Sequence, residues 1–148
     1  LYTPDSLNET IQEKLQGEHY VDLTRINKSK GNTFRYDVGT IAEIQGDDHI
    51  VYFFLGISKF DLHFMASTSK DEFVLAVQKM IEYCNIRSQG YPVIMPLIGS
   101  NLARTNISQK DILKYLIQAL KINRDKISAD IHIVIWTGDK DIISIHNL

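Results

Sequence analysis

Residues 91–120 read YPVIMPLIGSNLARTNISQKDILKYLIQAL. An apolar run, Tyr91 to Ile98, stops at Gly99-Ser100-Asn101. The chain then reaches Ser108-Gln109-Lys110-Asp111, a serine followed three residues later by an acid. That spacing lets the serine oxygen cap the first turn of a helix while the carboxylate reaches back. Ile112, Leu113, Leu116, Ile117 and Leu120 follow on one helical face. A second apolar run, DIHIVIW at 130–136, comes after the helix. Two strands joined through a helix run parallel, so this stretch predicts a βαβ unit and an α/β fold.

The same signals recur upstream. Ser6-Leu7-Asn8-Glu9 and Ser69-Lys70-Asp71-Glu72 are two more capping boxes. Leu7, Ile11 and Leu15 continue the first as a short helix. Phe73, Ala76, Val77, Met80 and Cys84 continue the second as a longer one. Between them, YVDLTRI and TFRYDVGTIAEI alternate as strands, with SKGN as the turn between them. HIVYFFLGI follows the hairpin turn QGDD at 45–48. This run, YPVIMPLI and DIHIVIW are almost continuously apolar, which predicts strands covered on both faces. The expected architecture is a three-layer α/β/α sandwich with a mixed sheet, in a single domain over 1–148.

With 148 residues, the chain is long enough for one stable core without metals or disulfides. A net charge of -2 gives it no general attraction to nucleic acid or acidic membranes. The one dense basic spot, Lys28-Ser29-Lys30, reads as a solvated loop. The single cysteine, Cys84, excludes an internal disulfide. No run reaches the roughly 20 apolar residues that cross a bilayer. Lacking such a run and carrying one cysteine, the domain reads as soluble and cytoplasmic, and its start at Leu1 instead of Met reads as excision from a longer chain.

Open α/β sheets bind ligands beyond the carboxyl ends of their strands. Three loops occupy that edge, at 58–68, 99–107 and from 137 onward. The second has the strongest chemistry. Gly99 permits close backbone approach, and Ser100 and Asn101 offer donors. The amides of 99–104 precede a helix start, and Arg104 adds a fork-shaped cation suited to phosphate. A plain β-to-α turn explains the same residues, and composition alone slightly favours it. The loop is neither a P-loop nor a dinucleotide fingerprint.

Other candidates carry less. His19, His49, His63, His132 and His146 lack metal-ligand spacing, so no metal is expected. His132 reads as packed or solvent-facing within a strand, and Cys84 as an inert buried thiol. Asp47-Asp48 reads as a turn and Asp37 as a surface strand residue. Trp136 fits either the core or a platform for an adenine. Lys59, Phe60 and Asp61 fit a ligand contact or an ordinary loop equally well. No catalytic triad or carboxylate pair stands out.

At MPLIGSNLARTNIS, followed by its capped helix, the chain resembles the phosphate-binding loop of macro domains. YDVGTIAEI, VYFFLGISKFD, YPVIMPLIGSNLARTNIS and DIHIVIW occur in the order of a divergent macro-domain branch. The similarity covers roughly residues 34 to 137. It resembles the C-terminal sensor domain of membrane-anchored effectors in Thoeris-type (type II) bacterial antiphage defence. The resemblance implies binding of an ADP-ribose-type signal, with a histidine conjugate as the associated form, made from NAD by a TIR-domain partner. It implies self-assembly on ligand binding and a parent chain anchored in the bacterial inner membrane; the charge balance already argues against a nucleic-acid partner. It places Gly99, Ser100, Asn101, Leu102, Ala103 and Arg104 around the diphosphate. Ser58 and Lys59 fall near the distal ribose, and Gly39, Thr40 and Ile41 beside the adenine; no cofactor is implied.

Two departures bear on function. The branch reads Gly-Ser/Thr-Gly, whereas the third position here is Asn101, a residue that tolerates left-handed backbone. GISKFD at 56–61 replaces the asparagine-rich run tied to ADP-ribose hydrolysis. The second departure points to a non-catalytic sensor; the first leaves open whether the Asn101 side chain contacts or crowds the ligand. The alternatives are an ADP-ribosyl hydrolase and a structural oligomerisation module in which Gly99-Ser100-Asn101 is only a turn.

Overall fold

A computed structural model describes residues 4–16, 23–27, 29, 34–46, 49–63, 65–99, 105–139, 141 and 143. In chain order the elements are α1 (Pro4–Gln16), β1 (Leu23–Arg25), β2 (Phe34–Tyr36), β3 (Ile41–Gln45) and β4 (Val51–Leu55). They continue with β5 (Lys59–Phe60), β6 (Ala66–Ser67), α2 (Lys70–Arg87), β7 (Val93–Pro96), α3 (Gln109–Ile122) and β8 (Ile131–Val134), ending in a 3-10 turn (Thr137–Asp139). The class is α/β, as the alternation of periods predicts.

The parallel βαβ unit forms as expected: β7 and β8 pair in parallel, with Val93 opposite Ile131 and Pro96 opposite Val134. The β3–β4 hairpin is antiparallel, with Gln45 opposite Val51. Among the described residues the strands form four two-stranded ladders, β1–β2, β3–β4, β5–β6 and β7–β8, instead of one continuous mixed sheet.

The main core lies between α2, α3 and the strands. Phe73, Val77, Met80, Ile81 and Cys84 of α2 meet Ile112, Leu113 and Leu116 of α3, with Met95 and Leu97 beneath them. Phe53 and Leu55 of β4 pack against this cluster. On the opposite side of the hairpin, α1 contacts β3, where Leu15, Ala42 and Ile44 are buried. Alternation along β3 thus gives α1 one face and α2 the other. The α2 side is tied by Glu43, which accepts hydrogen bonds from Arg87 Nε (2.8 Å), Arg87 Nη2 (2.9 Å) and Tyr83 Oη (2.9 Å).

Several expectations need correction. α1 begins at Pro4, so Ser6 lies within the helix and not at the position before it. Proline suits that start because the first-turn amides have no intrahelical acceptor. TFRYDVGTIAEI is not one strand: it breaks at Asp37–Thr40, where Gly39 takes φ +83° and the Thr40 amide and hydroxyl both bond the Asp37 carbonyl. Asp37 is therefore a turn residue. The loop at 58–68 contains the β5–β6 hairpin. The apolar runs are not covered on both faces, because Ile94 is 73% exposed and Val134 54% exposed. Only the face of β7–β8 turned to the core is covered, and His132 lies exposed on the other. Lys28, Lys30, Asp47, Asp48, His19 and His146, all given a reading from sequence, fall outside the described residues. No helix among the described residues is long and apolar enough to cross a membrane.

Candidate functional site

The first three turns of α2 are where distant segments of the chain meet. Ser69 caps this helix with a complete capping box: its hydroxyl accepts from the Glu72 amide at 3.2 Å, and its own amide donates to Glu72 Oε2 at 2.8 Å. The other oxygen of Glu72 is ion-paired with Lys59 Nζ. One carboxylate thus completes a helix cap and holds the cation of the preceding loop. Ser58 sits beside Lys59, its hydroxyl 3.1 Å from that of buried Thr68, which donates to the Ile57 carbonyl at 2.7 Å.

One turn further along α2, Gly39 lies against Ala76 and Lys79. A Cβ at Gly39 would stand 2.6 Å from Lys79 Cδ, and Lys79 Nζ donates to the Val38 carbonyl at 3.1 Å. The Gly39 amide donates to the Gly56 carbonyl (2.7 Å) and the Gly56 amide to the Thr40 carbonyl (2.9 Å). These bonds extend the ladder in which Ile41 pairs with Leu55. The turn carrying Gly39, Thr40 and Ile41 is thereby fixed to Gly56, just past β4 and two residues before Ser58.

Gly99 meets the same helix at Phe73. It is buried with φ +80°, and a Cβ there would lie 2.5 Å from Phe73 Cε2. Its carbonyl accepts from the hydroxyl of buried Thr105 at 3.1 Å, and that hydroxyl accepts from the Ile107 amide at 3.3 Å. Ser108 then caps α3, accepting from the Asp111 amide at 3.1 Å and donating to Asp111 Oδ2 at 2.6 Å. Ser100, Asn101, Leu102, Ala103 and Arg104 lie outside the described residues. Trp136 follows β8 and is 74% exposed, with its ring folded over Gly138, so the core reading of this residue is excluded. The neighbouring turn reaches α3 through Gln109 Nε2, which donates to Asp139 Oδ2 at 3.2 Å.

The structure therefore brings Gly39, Lys59 and Gly99 onto the first three turns of one helix: Gly39 at Ala76 and Lys79, Lys59 at Glu72, and Gly99 at Phe73. The residues receiving them carry no functional signal in the sequence. Glu72 reads only as a capping acid and Phe73 only as the first residue of an apolar stripe; Thr105 has no signal at all. Lys59 belongs to a hairpin strand, and Asp61 holds the hairpin's turn by accepting from the amides of His63 (2.8 Å) and Met65 (2.9 Å). A groove of about 360 Å³ lies elsewhere, between α2 and α3, bordered by Ile81, Glu82, Asn85, Tyr115, Gln118 and Lys126. None of the residues assigned from sequence lines it.

Two carboxylates here are held below their usual value. The hydrogen bond from Lys59, then that from the Ser69 backbone, lowers Glu72; the bond from Arg87, aided by Tyr83, lowers Glu43 against the pull of burial. Both folded values lie below the ordinary 4.5, so their stabilisation is complete above that pH and is lost as pH falls below it. Unfolding midpoints measured from pH 7 down to 3 are expected to drop on the acid side. Glu43→Gln and Glu72→Gln each flatten that drop; parallel curves for wild type and variants would show that neither pairing matters. Cys84 is buried and its thiol is pushed up by desolvation, which disfavours the nucleophilic thiolate.

The family model described as "Thoeris protein ThsA, Macro domain" matches residues 2–136. The chain belongs to this macro-domain family of Thoeris defence. The match spans every segment that converges on α2, as well as Trp136. A search of curated proteins finds no match.

Proposed function

We propose that this domain is a non-catalytic sensor of an ADP-ribose-type nucleotide in antiphage defence. The observation that carries the reading is the Gly99 turn, a buried left-handed backbone pressed on Phe73 within a macro-domain chain. The missing side chain makes room for the Phe73 ring, so the turn is fixed against the core where the chain enters residues 100–104. In this reading Gly99, Ser100, Asn101, Leu102, Ala103 and Arg104 surround the diphosphate. Ser58 and Lys59 approach the distal ribose, and Gly39, Thr40 and Ile41 the adenine. Trp136, exposed at the same edge, is available to stack. The complete domain forms a three-layer α/β/α sandwich.

The signal is a NAD-derived ADP-ribose, with a histidine conjugate as one form, supplied by a TIR-domain partner. Binding favours one of two states of a membrane-anchored parent chain and biases its assembly. A ligand achieves this only through unequal affinity for those states. GISKFD in place of the asparagine run, with Lys59 engaged by Glu72, favours sensing over hydrolysis. Thermal melting tests the reading. ADP-ribose or its histidine conjugate raises the melting temperature, and the ligand is recovered unchanged. Ser100→Asp sets a negative charge against the diphosphate, weakening binding at least about tenfold and removing the shift. Hydrolysed ligand would favour the enzyme reading, and absence of a shift with every NAD-derived nucleotide would end the sensor reading.

A further inference from the structure

We infer that Gly138 is a positioning residue that seats Trp136, the only tryptophan of the chain, as a one-sided stacking platform for the base of the nucleotide. This rests on the sensor reading above. A Cβ built on Gly138 would stand 2.2 Å from Cζ3 of the Trp136 ring, 2.5 Å from Cη2 and 2.7 Å from Cε3. The two neighbours of Cζ3 are nearly as close as Cζ3 itself, which puts that point over the ring face and not beyond its edge. The ring therefore lies flat on the backbone of the turn, in room that a missing side chain provides. Its other face is turned outward, in a residue that is 74% exposed. An open aromatic face of this kind suits the flat ring of a base.

The seat is fastened, and it stands at the carboxyl edge of the β7–β8 ladder. The Asp139 amide donates to the Trp136 carbonyl at 2.9 Å, and the Asp139 carbonyl accepts from the amide of buried Ile143 at 2.9 Å. The Asp139 carboxylate accepts from Gln109 of α3 at 3.2 Å. The Leu97 amide donates to the Val134 carbonyl at 3.2 Å, so Gly99 and Trp136 each follow that bonded pair by two residues. Gly138 does not take a left-handed φ, so alanine fits the backbone there and acts through the ring alone.

The test is a cycle of Gly138→Ala and Trp136→Leu, with ADP-ribose affinity measured by calorimetry and melting temperatures confirming that each variant is folded. Each single variant is expected to weaken binding about tenfold. The double variant should bind no more weakly than Trp136→Leu, because without the ring the seat has nothing to hold. Wild-type affinity in Gly138→Ala, or additive losses in the double variant, would overturn the inference. If wild type itself binds no nucleotide, the sensor reading has failed, and fluorescence of the unliganded proteins decides the seating. Stronger quenching of Trp136 by acrylamide in Gly138→Ala than in wild type supports it, and equal quenching refutes it.

Discussion

Gly99→Ala is expected to lower domain stability by about 2–5 kcal/mol and to abolish nucleotide binding. Two costs combine. The left-handed backbone at φ +80° penalises any side chain by about 1–2 kcal/mol. The added methyl would also overlap the Phe73 ring, 2.5 Å from Cε2, and Phe73 is 1% exposed with no space into which to retreat. Overpacking of this kind adds about 1–3 kcal/mol. Gly90 supplies the control: it is also left-handed, at φ +83°, but a Cβ there would meet nothing within 4 Å. Gly90→Ala should therefore show the backbone cost alone. Urea unfolding midpoints of the two variants measure the difference; equal losses would mean that the Phe73 contact is unimportant. The binding loss follows because the turn must shift to relieve the overlap, moving the backbone that leads into residues 100–104.

Phe73→Ala should be the most damaging core substitution at this site, at about 3–5 kcal/mol. The ring is almost fully buried, packs against Tyr115 at a centroid distance of 5.8 Å, and forms the floor under Gly99. For a domain of this size the corresponding fall in melting temperature is about 6–20 °C. A cycle with Gly99→Ala isolates the contact. Removing the ring also removes the obstacle, so the double variant is expected to be more stable than the sum of the single effects by more than about 0.5 kcal/mol. Additive losses would mean that ring and turn do not press on each other. Phe73→Leu, a smaller change in volume, should leave the domain folded at room temperature and allow binding to be measured without the flat ring.

The helices are legible in the sequence wherever their signals are local. Ser69 with Glu72, and Ser108 with Asp111, mark the starts of α2 and α3 because a cap is built from residues three apart. The stripe from Phe73 to Cys84 is buried as its spacing predicts. The parallel pairing of β7 with β8 follows from the helix between them. Three features are not legible. β5 and β6 have two residues each, too few to display an alternation. The break at Gly39 depends on a positive φ inside an otherwise strand-like run. Ile94 and Val134 sit in apolar runs, yet one face of their ladder is exposed, and apolar content alone does not report which face has a neighbour.

The site follows the same division. Gly99 stands out in the sequence because a glycine between an apolar run and a capped helix is a local pattern. The links between Lys59 and Glu72, Gly39 and Lys79, and Gly99 and Phe73 do not, because each joins segments that only the fold brings together. Those links explain how loops far apart in the chain come to share one helix end.

Calorimetric titration of ADP-ribose and its histidine conjugate into the domain tests the central claim most directly. The expected result is saturable heat with one nucleotide per chain, the nucleotide recovered intact and the heat absent in Gly99→Ala. A wild-type domain that gives no binding heat with any NAD-derived nucleotide would contradict the sensor reading.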